Sequence, residues 1–402
     1  MTTVASGIKK ITAFKKQTAL DSAASGSGGT VARRTSSVFP ADFSTYQSNE
    51  ITQHHQSTGA VHGFLTVPGK LSGELSPGSF SLLMGSLLEK DFATGVNSTA
   101  LTLTYGGTSG AWTVARSTGS FLTDGFKVGD VIRASGGSVS ANNSRNFLVT
   151  AVVALTITFR ALDGATVTAG SSTTTTLTVT GKKTHAPASA HVTDYYTFEE
   201  WYSGLTKSET FPNCRVGPLA LSAPASGKVT VDFDIVGLSR TLGNSQVLTS
   251  PSLSTTDSVD SLNAVVILNG AVQTLATGLT LNVSNNAQNA GAVVGASVGQ
   301  DVVTGKIMVS GTITAQFDAT TIQALKDAKT AVSLTAYLPC NASATSDFVC
   351  INLPRVKIFT DTPDDGEKAI IRTYNFVAEY NATGGTGISS EQTIMSVQDS
   401  AA

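Results

Sequence analysis

Alternating apolar and polar positions dominate the chain. In VTVDFDIVG, Val229, Val231, Phe233 and Ile235 share one face, and Thr230, Asp232 and Asp234 share the other. A period of two predicts a half-buried antiparallel strand. The preceding RVGPLALS, joined through APASGK, supplies its hairpin partner. VVILNGAVQTL sets Asn269-Gly270 between two apolar runs, the strongest short hairpin signal in the chain. GKIMVSGTITAQF (305–317), AVSLTAYL (331–338), FVCINLPRVKIF (348–359) and AIIRTYNFVAEY (369–380) continue the pattern. Pro354 has no N–H for a ladder, so it belongs at an edge or a bulge.

Two segments switch to a helical period. In SPGSFSLLMGSLLEKDF, Phe80, Leu83, Met84, Leu87 and Leu88 form one stripe that reads as core packing. Ser76 suits the N-cap and Pro77 the first helical position. In DATTIQALKDAKT, Asp318 or Thr320 can cap, with Ile322 and Leu325 inward. Residues 93–182 read as a separate unit. Ser/Thr/Gly-rich flanks bracket FLTDGFKVGDVIRASGGSVSANNSRNFLVTAV, where Asp124-Gly125 and Gly129-Asp130 mark turns between strands. The expectation is a small β-barrel-like domain inserted into a larger β-fold. The chain then divides into 1–92, an N-terminal arm and the first part of a β-sandwich; 93–182, the insert; and 183–402, the rest of the sandwich with a C-terminal segment. Residues 241–262 show no period and read as a long exposed loop.

Composition narrows the class. Of 402 residues 41% are apolar and only 13% charged, about half the usual share of roughly 25%. Such a chain is either a secreted or surface β-protein, or a subunit whose surface is covered by neighbours. A net charge of −2 implies no global attraction to nucleic acid or membranes. Lys9, Lys10, Lys15, Lys16, Arg33 and Arg34 face only Asp21 over the first 34 residues and read as a flexible, solvated arm. No apolar stretch follows these lysines to make a secretory signal, and no run approaches the roughly 18 residues of a membrane span. Cys214, Cys340 and Cys350 are odd in number and widely spaced, which argues against a disulfide framework.

The candidate chemistry is thin. GASVG (295–299) fits a nucleophile-elbow pattern around Ser297. All five histidines precede it, against the hydrolase order, and no helix pattern follows. DTPDDGE (361–367) clusters Asp361, Asp364, Asp365 and Glu367 without EF-hand spacing, and reads as a solvated turn. SNEITQHHQSTG pairs His54 with His55. On an extended segment adjacent side chains point to opposite faces, and Glu50 stands roughly 13 Å from His54. The segment reads as a polar hairpin arm rather than a metal site. No catalytic residues, cofactor or metal are expected.

The order of elements resembles one family, the tail tube proteins of long, non-contractile-tailed bacteriophages. SNEITQHHQSTGAVHGFLTVPGKLSGELSPGSFSLLMGSLL is similar to its opening hairpin arm, strands and short helix. FLTDGFKVGDVIRASG with ANNSRNFLVTAV resembles a small β-domain inserted in one branch. LNAVVILNGAVQTLATGLTLNVSNN, TGKIMVSGTITAQFDATTIQALKDA, INLPRVKIFTD and KAIIRTYNFVAEYNATGG resemble the closing half, in order. The resemblance implies a mainly β fold, a sandwich with a flanking short α-helix that joins into a β-barrel ring on assembly. It implies homohexameric rings stacked into a hollow virion tail tube, assembled in the host bacterial cytoplasm. The partners implied are further copies of the chain, the tape-measure protein, and the tail terminator and tail tip proteins. Phage DNA would pass through the lumen without specific binding, and no membrane insertion is implied. On this reading Tyr46, Glu50, His54, His55 and Gln56 make contacts between rings. Asp232 and Asp234, if their strand lies on the inner barrel, line the lumen. The rival class is a secreted or surface adhesin or carbohydrate-binding protein, which calls for a signal peptide and aromatic platforms; aromatics are only 7%.

Overall fold

Antiparallel strands account for nearly all regular structure in the computed structural model, which describes residues 4–54, 56–364 and 367–402. They build two layers. The front layer runs Ala60–Glu74, Thr230–Gly237, Lys207–Pro224, Ala276–Ser284, Met308–Gln316 and Ile371–Ala378, each hydrogen-bonded to the next. Phe348–Pro363 then carries the sheet round a corner. Its second half pairs with Ile371–Ala378, and its first half with Val332–Pro339 and Ser396–Asp399. Those strands, with Val265–Leu268, Lys182–His185 and Ala93–Thr94, make the back layer.

The core lies between the layers because the apolar parity of both faces inward. Leu221, Leu279 and Leu281 of the front meet Leu334, Ala336, Ile351 and Leu353 of the back. Val231, Phe233 and Ile235 are buried, while Thr230 and Asp234, on the other face, are exposed. The Asn269-Gly270 turn has positive φ at both residues, 51° and 75°, as a type I′ hairpin requires. The pairing of Val332 with Val356 and Leu334 with Leu353 skips Pro354 and Arg355, so the proline sits in a bulge, where its missing N–H is harmless.

The helix Ser81–Leu87 keeps its apolar stripe buried, but it starts later than the Ser76-Pro77 signal predicts. Gly78 adopts φ +75°, and its N–H is captured by the Asp399 carboxylate at 2.9 and 3.0 Å. A left-handed residue breaks the helical run, and Ser76 bonds the Ser79 hydroxyl instead of capping.

The basic N-terminus is not a solvated arm. Lys10–Lys16 forms a strand against Tyr196–Tyr202, with Ala13 and Phe14 buried. Its charges are all engaged: Lys10 on Glu200, Lys16 on Asp194 and Asp91, Lys15 on the carbonyls of Ser25 and Ser27. Residues 241–262 also depart from expectation. Thr241–Gly243 pairs with Lys207–Pro224, and the segment beyond is strapped to the body. The buried Glu199 carboxylate accepts the N–H groups of Val247 and Leu248, and Val259 exchanges backbone bonds with Leu75 and Val229.

Six strands between Asn97 and Val179 close into a barrel, with its own core around Phe121, Phe126, Phe147 and Phe159. The chain enters and leaves it through Ala93–Thr94 and Lys182–His185, which pair directly. The barrel sits against the outer face of the back layer. Val131 and Leu148 pack there on Tyr337, Phe348 and Cys350, and Gln398 bonds the backbone of Val131 and Thr180. All three cysteines are free and buried.

Candidate interaction surfaces

The two outer faces of the sandwich have opposite fates. The back face is covered by the barrel, whereas the front face is bare. Asp232 and Asp234 stand on the front face, Asp232 half-buried and Asp234 exposed. Across the ladder Asp232 faces Ser72 on one side and Ala220 on the other, and Asp234 faces Lys70. Further along, Thr280 and Thr312 share a hydroxyl hydrogen bond of 2.7 Å. The surface is a sheet of short polar side chains. On Ala60–Glu74 and Thr230–Gly237 its charges are Lys70, Glu74, Asp232 and Asp234, three carboxylates against one ammonium, or −2. Lys70 escapes sequence reading because its place opposite Asp234 depends on register, although its alternation with Leu71 marks it as outward.

The predicted hairpin arm is present. Asp42–Gln47 pairs with the first half of Ala60–Glu74, Gln47 opposite Ala60 and Tyr46 opposite Val61, and every residue of Asp42–Gln47 is exposed. The Tyr46 ring lies across Gly63, where an added Cβ would come within 2.6 Å of it. That glycine lets the ring lie along the sheet instead of standing off it. Tyr46 is 59% exposed, and Ile51 in the connecting loop is 99% exposed. Glu50 donates its N–H to Ser48, and His54 Nδ1 accepts the Gln56 N–H at 3.2 Å. His55 lies outside the described residues. Tyr46, Glu50, His54 and Gln56 are therefore gathered on one arm, and Ile51, which the sequence reading passed over, is its most exposed apolar side chain. Its only sequence signal is an isolated branched residue in a polar loop. Among the described residues no group of three or more His, Cys, Asp or Glu side chains could hold a metal.

Where the barrel meets the sandwich, Lys183 bridges Asp130 and Glu391, the latter at 3.0 Å. Burial opposes the Lys183 charge, but the two carboxylates override it and hold the ammonium above the ordinary lysine range. Burial pushes the Asp130 carboxyl up. Burial also works to raise Glu391, yet Lys183 outweighs it and holds Glu391 below the usual range. Two further sequence candidates sit in structural contacts. Gly295–Gly299 lies in a loop whose Ser297 carbonyl accepts the Leu65 N–H at the arm's base. Asp361 is bound by Arg372 at 2.7 Å, while Asp365 lies outside the described residues.

A family model described as phage tail tube protein matches residues 7–378. No curated protein matches the chain.

Proposed function

The chain belongs to the phage tail tube protein family, and from that premise we propose that it polymerises as stacked hexameric rings into the hollow tail tube of a long, non-contractile-tailed phage, with the front face of its sandwich lining the bore. The observation that carries this reading is the asymmetry of the two outer faces. A subunit with a domain docked on one face can close into a narrow ring only with that face outward. The bare, short-chained front face then turns inward, and Asp232 and Asp234 with it.

Mechanism here is geometry and electrostatics. Edge strands joined between copies would make a continuous inner barrel without open edges. A net −2 per copy on the two charged strands gives about twelve negative charges in a ring of six. These repel DNA phosphates over roughly 8 Å at physiological salt, so the genome slides without adhering. The tape-measure protein would fill the bore before DNA does, and terminator and tip proteins would close its ends. The hairpin arm, with Tyr46, Glu50, His54 and Gln56, would reach the neighbouring ring. Among the described residues no helix is long and apolar enough to cross a membrane.

Electron microscopy of the purified chain tests the proposal. Hollow tubes with sixfold rings are expected, with the barrel on the rim of each ring. A tube map placing Asp232 and Asp234 on the outer surface would refute the lumen assignment. A chain that stays monomeric at all concentrations would refute assembly.

A further inference from the structure

The front layer has two distinct ends, and the arm marks one of them. Along Ala60–Glu74 the arm comes first, so it leaves the sheet where Val67 faces Gly237 and Ser284 faces Met308. The far end lies where Glu74 faces Thr230 and Pro224 faces Gly278. At that far end the two layers part. Ala223–Ala225 and Ala276–Leu279 of the front stand away from Val265, Val266 and Val272, leaving a cavity of about 380 Å³. Its floor is Leu279 and Leu338 of the sandwich core. Leu262, 84% exposed, stands at its rim. A cavity of about 150 Å³ already holds a benzene-sized molecule, so this one has room for a branched side chain and its neighbours.

The arm carries a matching group. Its paired part, Ala60 to Thr66, spans roughly 20 Å at the rise of a strand, which holds the connecting loop clear of its own body. Ile51 in that loop is 99% exposed, and Glu50 beside it is exposed as well. Lys228 is exposed and bridges through its backbone to Asp260, next to Ser261 and Leu262 of the cavity lining. Its ammonium gives its hydrogen bond to a neutral carbonyl, that of Ser258, at 3.1 Å, which leaves its charge available to a carboxylate. Donor and receiver sit at opposite ends of one strand direction. An interface of that kind joins unlike surfaces of identical copies, and it propagates as a filament unless rotation closes it.

We propose that the arm of one copy seats Ile51 in the open far end of the sandwich of a copy in the next ring, with Glu50 set against Lys228. The proposal rests on the reading that the chain stacks into a tube, and it names the surface that receives the arm. The seat closes the exposed end of the core with an apolar plug, and each copy is both donor and receiver, so rings stack in one polarity.

Cross-linking tests it. The three native cysteines are buried, so variants with one added cysteine each, I51C and L262C, can be mixed, assembled and treated with a short bis-maleimide. Covalent dimers are expected in tubes and not in dilute subunits. The pair I51C and M308C probes the cavity at the arm's own end, lined by Met308, Val377 and Tyr380; it should give none. Cross-linking of that pair instead, or intact tubes with no I51C–L262C product, overturns the proposal. A companion variant, I51D, should fold as the parent does, because the side chain is exposed. It should raise the concentration needed for tube growth by roughly tenfold or more, the scale of losing a central apolar anchor, and leave single rings intact. Tubes of I51D growing like the parent's also overturn it. Unsubstituted protein that forms neither rings nor tubes overturns the assembly reading itself, and this inference with it.

Discussion

Lys70 stands directly opposite Asp234 across the antiparallel pair of Ala60–Glu74 and Thr230–Gly237. The proposed lining is therefore not a pure carboxylate ring. Each Asp234 has an ammonium one strand away, and the net repulsion comes from Asp232 and Glu74 as much as from Asp234. A mixed lining of this kind repels phosphate while limiting the repulsion between copies that a wholly acidic wall would create.

The first prediction follows from that count. Replacing Asp232 and Asp234 with Lys turns −2 into +2 per copy on these strands. Both side chains point away from the core, so rings should still assemble. Genome release should slow, because phosphates now bind the wall. Ejection kinetics from phage carrying the double variant check this, and a parental rate would remove these residues from the bore. The variant K70E should instead weaken ring assembly at low salt and recover at high salt, where the Debye length shrinks to roughly 3 Å at 1 M.

The second concerns the barrel. Thr94 and Lys182 are paired neighbours, so residues 95–181 can be replaced by a two-residue Asn-Gly turn. Excision alone uncovers Tyr337 and Phe348, now 2% and 0% exposed, and should give a sticky, poorly soluble subunit. Excision combined with Y337T and F348T should restore solubility and yield tubes of unchanged bore and smaller outer diameter. A well-folded, repaired subunit that forms no tube would show that the barrel takes part in the ring contact.

The sequence was legible where a residue's neighbours along the chain decide its fate. The parity of Val231, Phe233 and Ile235, the Asn269-Gly270 turn and the stripe from Phe80 to Leu88 are local patterns, and each holds in the fold. It was illegible where a partner lies far away. KITAFKK reads as a charged arm until Tyr196–Tyr202 is beside it. The segment 241–262 reads as a loop because the pair Val247-Leu248 and the lone Val259 follow no period; they are held by Glu199 and Leu75. Of the site, the arm and the outward aspartates could be read. Lys70 opposite Asp234, and the parted layers beside Leu262, exist only once strands are in register.

The third prediction tests that strap. Glu199 is fully buried and accepts from Val247 N–H at 2.7 Å, Leu248 N–H at 2.6 Å and the Ser208 hydroxyl at 2.6 Å. E199A leaves these donors unmatched, at about 1–3 kcal/mol for each buried group, so a loss of roughly 3 kcal/mol or more is expected. E199Q keeps an acceptor oxygen and should lose less. Limited proteolysis should cut E199A first between 241 and 262. Cleavage elsewhere, with this segment protected, would mean that other contacts hold the strap.

The last prediction is acid sensitivity of the barrel, centred on Asp163 and Arg145. The pair is bidentate, at 2.7 and 2.8 Å, with both side chains 9% exposed. Burial works to raise the Asp163 pKa, but the guanidinium and the Ala165 N–H outweigh it and hold the carboxyl below the usual range. Its folded pKa thus lies below its unfolded value of about 3.9. The stabilisation is complete above that value and drains away as pH falls through the folded pKa. Asp124, held down against burial by Ser98 and Arg116, adds to the effect with the same sign. Asp130, raised by burial, acts in the opposite sense and offsets part of it. Trp112 lies on a barrel strand, so its fluorescence in a W201F background reports barrel unfolding. The thermal midpoint should be flat near neutral pH and fall below about pH 4. D163N should lower the neutral plateau by roughly 1–3 kcal/mol of stability and flatten the acid limb. An acid limb unchanged in D163N would assign the effect to other groups.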